Sequence, residues 1–285
     1  MMEQLKNIRI NGKHARDILA DLCFEKTKRK KPLVIFCHGY KGYKDWGAFD
    51  LMSESFVEND IVLLKFNFSH NGGTFEQPID FPDLEAFGQN NYSKEQDDLS
   101  SVIDWVFKRK EFDSEIDLND ITLIGHSRGG GTVALKAAQD ARISRLITWA
   151  SVSDFAIRFP KGPVLEVWKK EGVAYIENAR TKQQMPHYIQ FYNDFVDNEE
   201  RLTIKTAVQS LGIPHLIIHG TADASVPVKE AENLHRWNPK STLVLLPEAD
   251  HGFGSKQPWE APFLPSDFQN VLSKTFEFVK SNELL

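Results

Sequence analysis

Short runs of β-branched and aromatic residues recur along the chain, each followed by a longer helix-like stretch. This alternation confines the fold to a parallel sheet with helices on both faces, an α/β architecture. Leu33-Val34-Ile35-Phe36-Cys37 is apolar at every position, as a strand buried on both faces must be. Residues 48–58 have helical spacing, and 61–68 read as the next strand. The pattern continues with a helix over 93–110, a strand over 121–124, a helix after Gly129 and a strand over 146–149. It returns with a strand over 213–219, a helix over 229–237, a strand over 242–246 and an amphipathic helix over 266–281.

Two stretches break the alternation. Residues 69–91 carry Gly72, Gly73, Pro78, Pro82 and Gly88, a loop long enough to be a candidate for lining a site. Residues 151–211 lack a strand-like run and are rich in aromatics, among them Phe155, Phe159, Trp168 and Phe191, and read as a helical cap inserted between two strands. The chain has 285 residues, 41% of them hydrophobic, which suffices for one well-buried core with a modest insertion. The expected organisation is therefore a single domain over 1–285 with the cap inside it.

The formal net charge is −6, which argues against a nucleic-acid partner. The run Lys26, Lys28, Arg29, Lys30, Lys31 reads as a solvated turn. Residues 1–11 have no hydrophobic signal-peptide core, and no window is apolar for long enough to span a bilayer, so a soluble protein of the cytoplasm is expected. Cys23 and Cys37 both lie in apolar runs and read as buried thiols. The nine histidines form no metal-ligand spacing and no dinucleotide-binding glycine pattern is present, so neither a metal nor a cofactor is expected.

Gly125-His126-Ser127-Arg128-Gly129 fits Gly-x-Ser-x-Gly, with strand-forming residues before it and a helix-compatible run after it. A serine in so sharp a strand-to-helix turn takes a strained backbone conformation, which requires neighbours without bulk two residues away on each side. Its hydroxyl is then thrust out of the sheet as a candidate nucleophile. The first amide of the following helix, that of Arg128, faces any negative charge that develops there. His38-Gly39-Tyr40-Lys41-Gly42 leaves the first buried strand at the same sheet edge, where the Tyr40 amide would be the second oxyanion donor. His38 reads as a clamp on that loop.

A serine needs a base, and an imidazole base needs a carboxylate to fix its tautomer. His219-Gly220-Thr221-Ala222-Asp223 places an aspartate after one strand, and Ala249-Asp250-His251-Gly252-Phe253 places a histidine after the next. Asp223 suits the acid role best, with Asp250 and Asp154 as competitors. His219 reads as structural, and His70, His126, His187 and His235 carry no spacing signal.

These segments resemble the α/β-hydrolase superfamily over nearly the whole chain, and within it the dienelactone-hydrolase-like and feruloyl (cinnamoyl) esterase-like branches. The most specific part is His219-Gly220-Thr221-x-Asp223-x-x-Val226-Pro227 followed by Ala249-Asp250-His251-Gly252-Phe253. The resemblance implies an eight-stranded, mostly parallel sheet, residues 151–211 as the cap over an acyl pocket, and Ser127, Asp223 and His251 as a catalytic triad. It departs from the family at Arg128, where many relatives carry Gln or Met. The implied activity is hydrolysis of a small-molecule carboxylic ester. A thioester or blocked peptide is the alternative substrate, and a binding protein that has kept the fold but lost catalysis is the alternative of another class.

Overall fold

The computed structural model describes residues 2–281. In chain order its main elements are β1 (Met2–Asn11), β2 (Asp17–Glu25), β3 (Lys31–Cys37), α1 (Phe49–Glu58), β4 (Val62–Asn67), α2 (Leu84–Gly88), α3 (Tyr92–Lys108), β5 (Ile116–His126), α4 (Arg128–Gln139) and β6 (Arg145–Trp149). There follow α5 (Pro163–Glu171), β7 (Val173–Glu177), β8 (Gln184–Tyr188), α6 (Gln190–Asp197), α7 (Ile204–Gln209), β9 (His215–Gly220), α8 (Lys229–Trp237), β10 (Thr242–Leu246) and α9 (Ser266–Lys280).

Eight strands form one sheet in the order β1-β2-β4-β3-β5-β6-β9-β10. The six from β4 to β10 in that order run parallel, while β2 pairs antiparallel with β4 and β1 antiparallel with β2. The strand period of two divides β3 between two cores. Leu33, Ile35 and Cys37 face the side covered by α3, α4, α7 and α8, whereas Val34 and Phe36 face α1 and α9. Because all six parallel strands point the same way, β3, β5, β9 and β10 deliver their following loops to one edge.

The sheet begins earlier than the sequence pattern suggested, since no strand was expected before Leu33. In β1, Glu3, Lys6 and Arg9 interrupt the apolar run because that strand is the half-exposed edge. In β2 the interruption is Asp21, which is fully buried and paired with the Lys44 ammonium at 2.8 Å.

The insertion between β6 and β9 is also not purely helical. Besides α5, α6 and α7 it holds β7 and β8, which pair antiparallel. The exposed β7 and the Pro186 within β8 hid this hairpin from a reading based on apolar runs. Residues 69–91 contain the short helix α2, and their Phe81 and Phe87 pack with Tyr43 and Met185 against Tyr40 and Trp46. They brace the loop after β3. Among the described residues no helix is long and apolar enough to cross a membrane.

Candidate active site

The turn between β5 and α4 has the geometry that its glycines permit. Ser127 has φ 57° and ψ −123°, a region L-residues occupy at a cost of roughly 1–3 kcal/mol. Its conformation is fixed from both sides: its amide donates to the Trp149 carbonyl at 2.9 Å, and its own carbonyl accepts from Gly130 at 3.0 Å. A Cβ on Gly125 would lie 2.2 Å from the Gly129 carbonyl oxygen, and one on Gly129 would lie 2.5 Å from that of His38. Both positions thus require glycine because backbone passes where a side chain would be.

Ser127 Oγ lies 3.0 Å from His251 Nε2, and His251 Nδ1 lies 2.7 Å from Asp223 Oδ2. With Nδ1–H donating to the carboxylate, Nε2 is left as an acceptor for the serine hydroxyl. Asp223 is anchored through its other oxygen, which accepts the amides of Ser225 and Val226 at 2.8 Å each. Burial raises the Asp223 carboxyl, but the hydrogen bonds from His219, His251 and Val226 outweigh it and hold the group well below the usual carboxylate range. It is therefore an anion beneath the imidazole at neutral pH.

The two competing carboxylates face elsewhere. Asp250 Oδ1 accepts the amides of Gly252 and Gly254 at 3.0 and 2.8 Å, which braces the loop that carries His251. Asp154 Oδ1 accepts the Ala156 amide at 2.7 Å.

The Tyr40 and Arg128 amides donate to no acceptor among the described residues. Arg128 is the first residue of α4, where the helix dipole adds to its amide. Tyr40 sits in a turn closed by the Gly42 amide on the Gly39 carbonyl at 3.0 Å. His38 holds the start of this turn: its Nδ1–H donates to the Gly39 carbonyl at 2.9 Å, and burial lowers its pKa to about 4.

Three side chains here carried no usable signal in the sequence. His126 Nε2–H donates to the backbone carbonyl of His251 at 2.8 Å, and burial brings its pKa to about 3, so it is a neutral prop under the His251 loop. Tyr40 O–H donates to His187 Nε2 at 2.8 Å, while His187 Nδ1–H donates to the Met185 carbonyl at 3.1 Å. That places β8 of the insertion in direct contact with the turn after β3. The guanidinium of Arg128 turns into the site, where it meets the fully buried Glu95 at 2.6 Å and lies 5.1 Å from the centroid of the Tyr40 ring.

Ser127 and His251 open onto a cavity of about 860 Å³ between the sheet edge and the insertion, walled by rings that include Tyr92, Phe155, Phe159 and Trp168. None of residues 69–91 lines it, but that stretch braces the turn after β3, and Asn90 donates to Glu95 at 2.8 Å, the carboxylate that holds Arg128. One group of carboxylates among the described residues has metal-like spacing, Asp21, Asp45 and Asp50. Lysine ammonium groups already lie among them: Lys44 is 2.8 Å from Asp21 and Lys65 is 2.8 Å from Asp45. The cluster is an ion-pair network tying the loop after β3 to β2 and β4.

No protein-family model matches the chain. Among curated proteins it is 27% identical over 132 residues to an uncharacterized 31.7 kDa Escherichia coli protein, a match that covers 44% of this chain and 39% of the length of that relative. It is 22% identical over 262 residues to a Mycoplasma genitalium protein provisionally described as an esterase/lipase, covering 85% of this chain and 89% of that one.

Among solved structures it is similar to Est1E from Butyrivibrio proteoclasticus with ferulic acid bound, with a TM-score of 0.70 and 20% identity over 95% of this chain and 97% of the other. It is also similar to the α/β hydrolase GrgF from Penicillium, with a TM-score of 0.67 and 17% identity over 98% of each chain. A dienelactone hydrolase from Anabaena variabilis gives a TM-score of 0.64 and 14% identity over 97% of this chain and 96% of the other. With its parallel sheet, its strand-turn-helix at Ser127 and these near-complete superpositions, the chain has the α/β-hydrolase fold.

Proposed function

We propose that this chain is a serine hydrolase that cleaves a carboxylic ester of a small molecule through an acyl-enzyme. The observation that carries the reading is the unbroken hydrogen-bonded line from Ser127 through His251 to the buried Asp223, ending at an apolar cavity. In the proposed reaction His251 Nε2 takes the proton of Ser127 as its Oγ attacks the ester carbonyl carbon. Asp223 stabilises the imidazolium, and the Tyr40 and Arg128 amides receive the oxyanion, each donor contributing about 3 kcal/mol in sites of this kind. Collapse breaks the bond to the alcohol oxygen, which leaves with the proton from His251. Water activated by the same imidazole then attacks the acyl-enzyme and frees the acid and Ser127.

Residues 151–211 act, on this reading, as a cap within a single catalytic domain, and their aromatic rings accept an apolar acyl group. The ferulic acid bound to Est1E supports an aryl acyl group.

A panel of p-nitrophenyl and hydroxycinnamoyl esters tests the proposal. Wild-type protein is expected to turn them over, and Ser127→Ala to lose at least about 10³-fold in kcat with the fold retained by circular dichroism. Wild-type rates in Ser127→Ala would overturn it. Matched ester, thioester and amide substrates of one acyl group then rank the leaving groups, with the ester expected to be fastest.

A further inference from the structure

Two cavities meet at Ser127. Beside the large one under the insertion lies a second of about 260 Å³, bounded by Gly42, Trp46, Gly252 and Ser255. Tyr40, Lys41, Ser127 and His251 belong to both. An ester centred on Ser127 therefore has two unequal compartments for its two halves.

Neither wall contains an aspartate or a glutamate, yet three cations enter them. Arg128 is held by Glu95 and Arg158 by Glu230, both buried carboxylates, and both arginines belong to the large cavity. Lys41 is different. Among the described residues it has no carboxylate partner, and its ammonium lies 5.2 Å from the centroid of the Tyr40 ring. Burial lowers its pKa below that of an ordinary lysine. It is the sole Lys or Arg on the wall of the small cavity. Lys41 also occupies the third position of the oxyanion turn with φ 53°, where glycine is the residue of least cost, so a long charged side chain is kept at this point against backbone preference.

We propose that the ester processed here joins a bulky apolar acyl group to a compact alcohol bearing a carboxylate, and that Lys41 is the receptor for that carboxylate. This rests on the serine-hydrolase reading above. The large cavity is lined by rings and its arginines are already neutralised, so an apolar acyl group gains by burial there, at roughly 25 cal/mol per Å². Lys41 borders both cavities, but in the small one it is the sole Lys or Arg and meets no competing anion, in surroundings where a charge pair is stronger than in water. The alcohol half also lies beside His251, which protonates its oxygen as the carbon–oxygen bond breaks, so the released product is a short hydroxy acid.

The test compares kcat/KM for three esters: 3-phenylpropanoyl glycolate, its isostere 3-phenylpropanoyl glycolamide, and ethyl hemisuccinate, which carries its charge on the acyl side. The glycolate ester is expected to exceed the glycolamide by about tenfold, the effect of one good charge pair. That ratio should shrink with added salt, fall towards one in Lys41→Met and return in Lys41→Arg. Labelling of Ser127 by a fluorophosphonate, in wild type and in both variants, checks the fold and the hydrolase reading separately. Labelled Ser127 with no glycolate preference, or with a preference for hemisuccinate, overturns the anion proposal while the hydrolase reading stands. A preference that persists in Lys41→Met removes Lys41 as the receptor, and unlabelled wild-type Ser127 overturns both readings.

Discussion

Asp223 and Asp250 are both close to His251 along the chain or in space, and their oxygens have different employment. One Asp223 oxygen receives the imidazole Nδ1–H, whereas Asp250 binds two backbone amides of the His251 loop. Asp223→Asn is expected to lower kcat on an activated ester by about 10⁴-fold, because the amide favours the wrong imidazole tautomer. Asp250→Asn weakens hydrogen bonds each worth about 1 kcal/mol and should reduce kcat less than about tenfold. Steady-state rates of the two variants on one p-nitrophenyl ester separate the roles, and equal losses would overturn the assignment. At this scale the sequence was most legible where a local geometry needs a fixed spacing, as in the turn at Gly125-His126-Ser127-Arg128-Gly129, and in the three segments whose Ser127, Asp223 and His251 the fold brings together. It was silent on His126 and His187, whose partners are 125 and 147 positions away and leave no local pattern. It assigned the Arg128 amide from the helix start, but nothing in the sequence directed the guanidinium towards Glu95.

The elements that could be read in advance were those whose burial leaves a period. The central parallel strands each contain a run of buried apolar residues, continuous from Leu33 to Cys37 in β3, and α3 and α9 show a clear apolar face. Those missed were β1, β2, β7 and β8, where edge exposure, a buried ion pair or a proline breaks the run. On the proposed mechanism, the β8 hairpin strand bears on catalysis through the bond between Tyr40 and His187. His187→Phe removes that acceptor while keeping a ring of similar size, and leaves the Tyr40 hydroxyl to find another partner. The expected outcome is a three- to tenfold lower kcat/KM, from a hydrogen bond worth about 1 kcal/mol, with the loss mainly in kcat because the oxyanion amide shares the Tyr40 residue. Pre-steady-state acylation rates of the variant and of Tyr40→Phe check this, and a change confined to KM would place the bond in substrate binding instead.

Across the whole molecule, burial sets the response to acid. It depresses His38, His70 and His187 to about 4 and His126 and His215 to about 3, from an ordinary 6.5. The unfolded chain takes up these protons first, so the stability they contribute is present above about pH 6.5 and is lost as pH falls towards the folded values. Asp98 acts in the opposite sense: burial raises it from 3.8 to about 7, so its cost grows as pH rises between those values. The five histidines outweigh Asp98, and thermal melts should show a lower Tm at pH 5 than at pH 7. Asp98→Asn should raise Tm at pH 8 and change it little at pH 4; a rise of equal size at both would show that charge is not the cause. The contact between β8 and the oxyanion turn also bears on how proteins of this fold exchange parts. A chimera that takes residues 151–211 from another protein would discard His187 and leave Tyr40 without its acceptor, while Phe81 and Phe87 would lose Met185. The transferable unit in this chain is therefore discontinuous: the insertion travels intact only with the loop after β3 and the stretch around α2, so recombination breakpoints placed at the insertion's two ends would cut through one packed assembly.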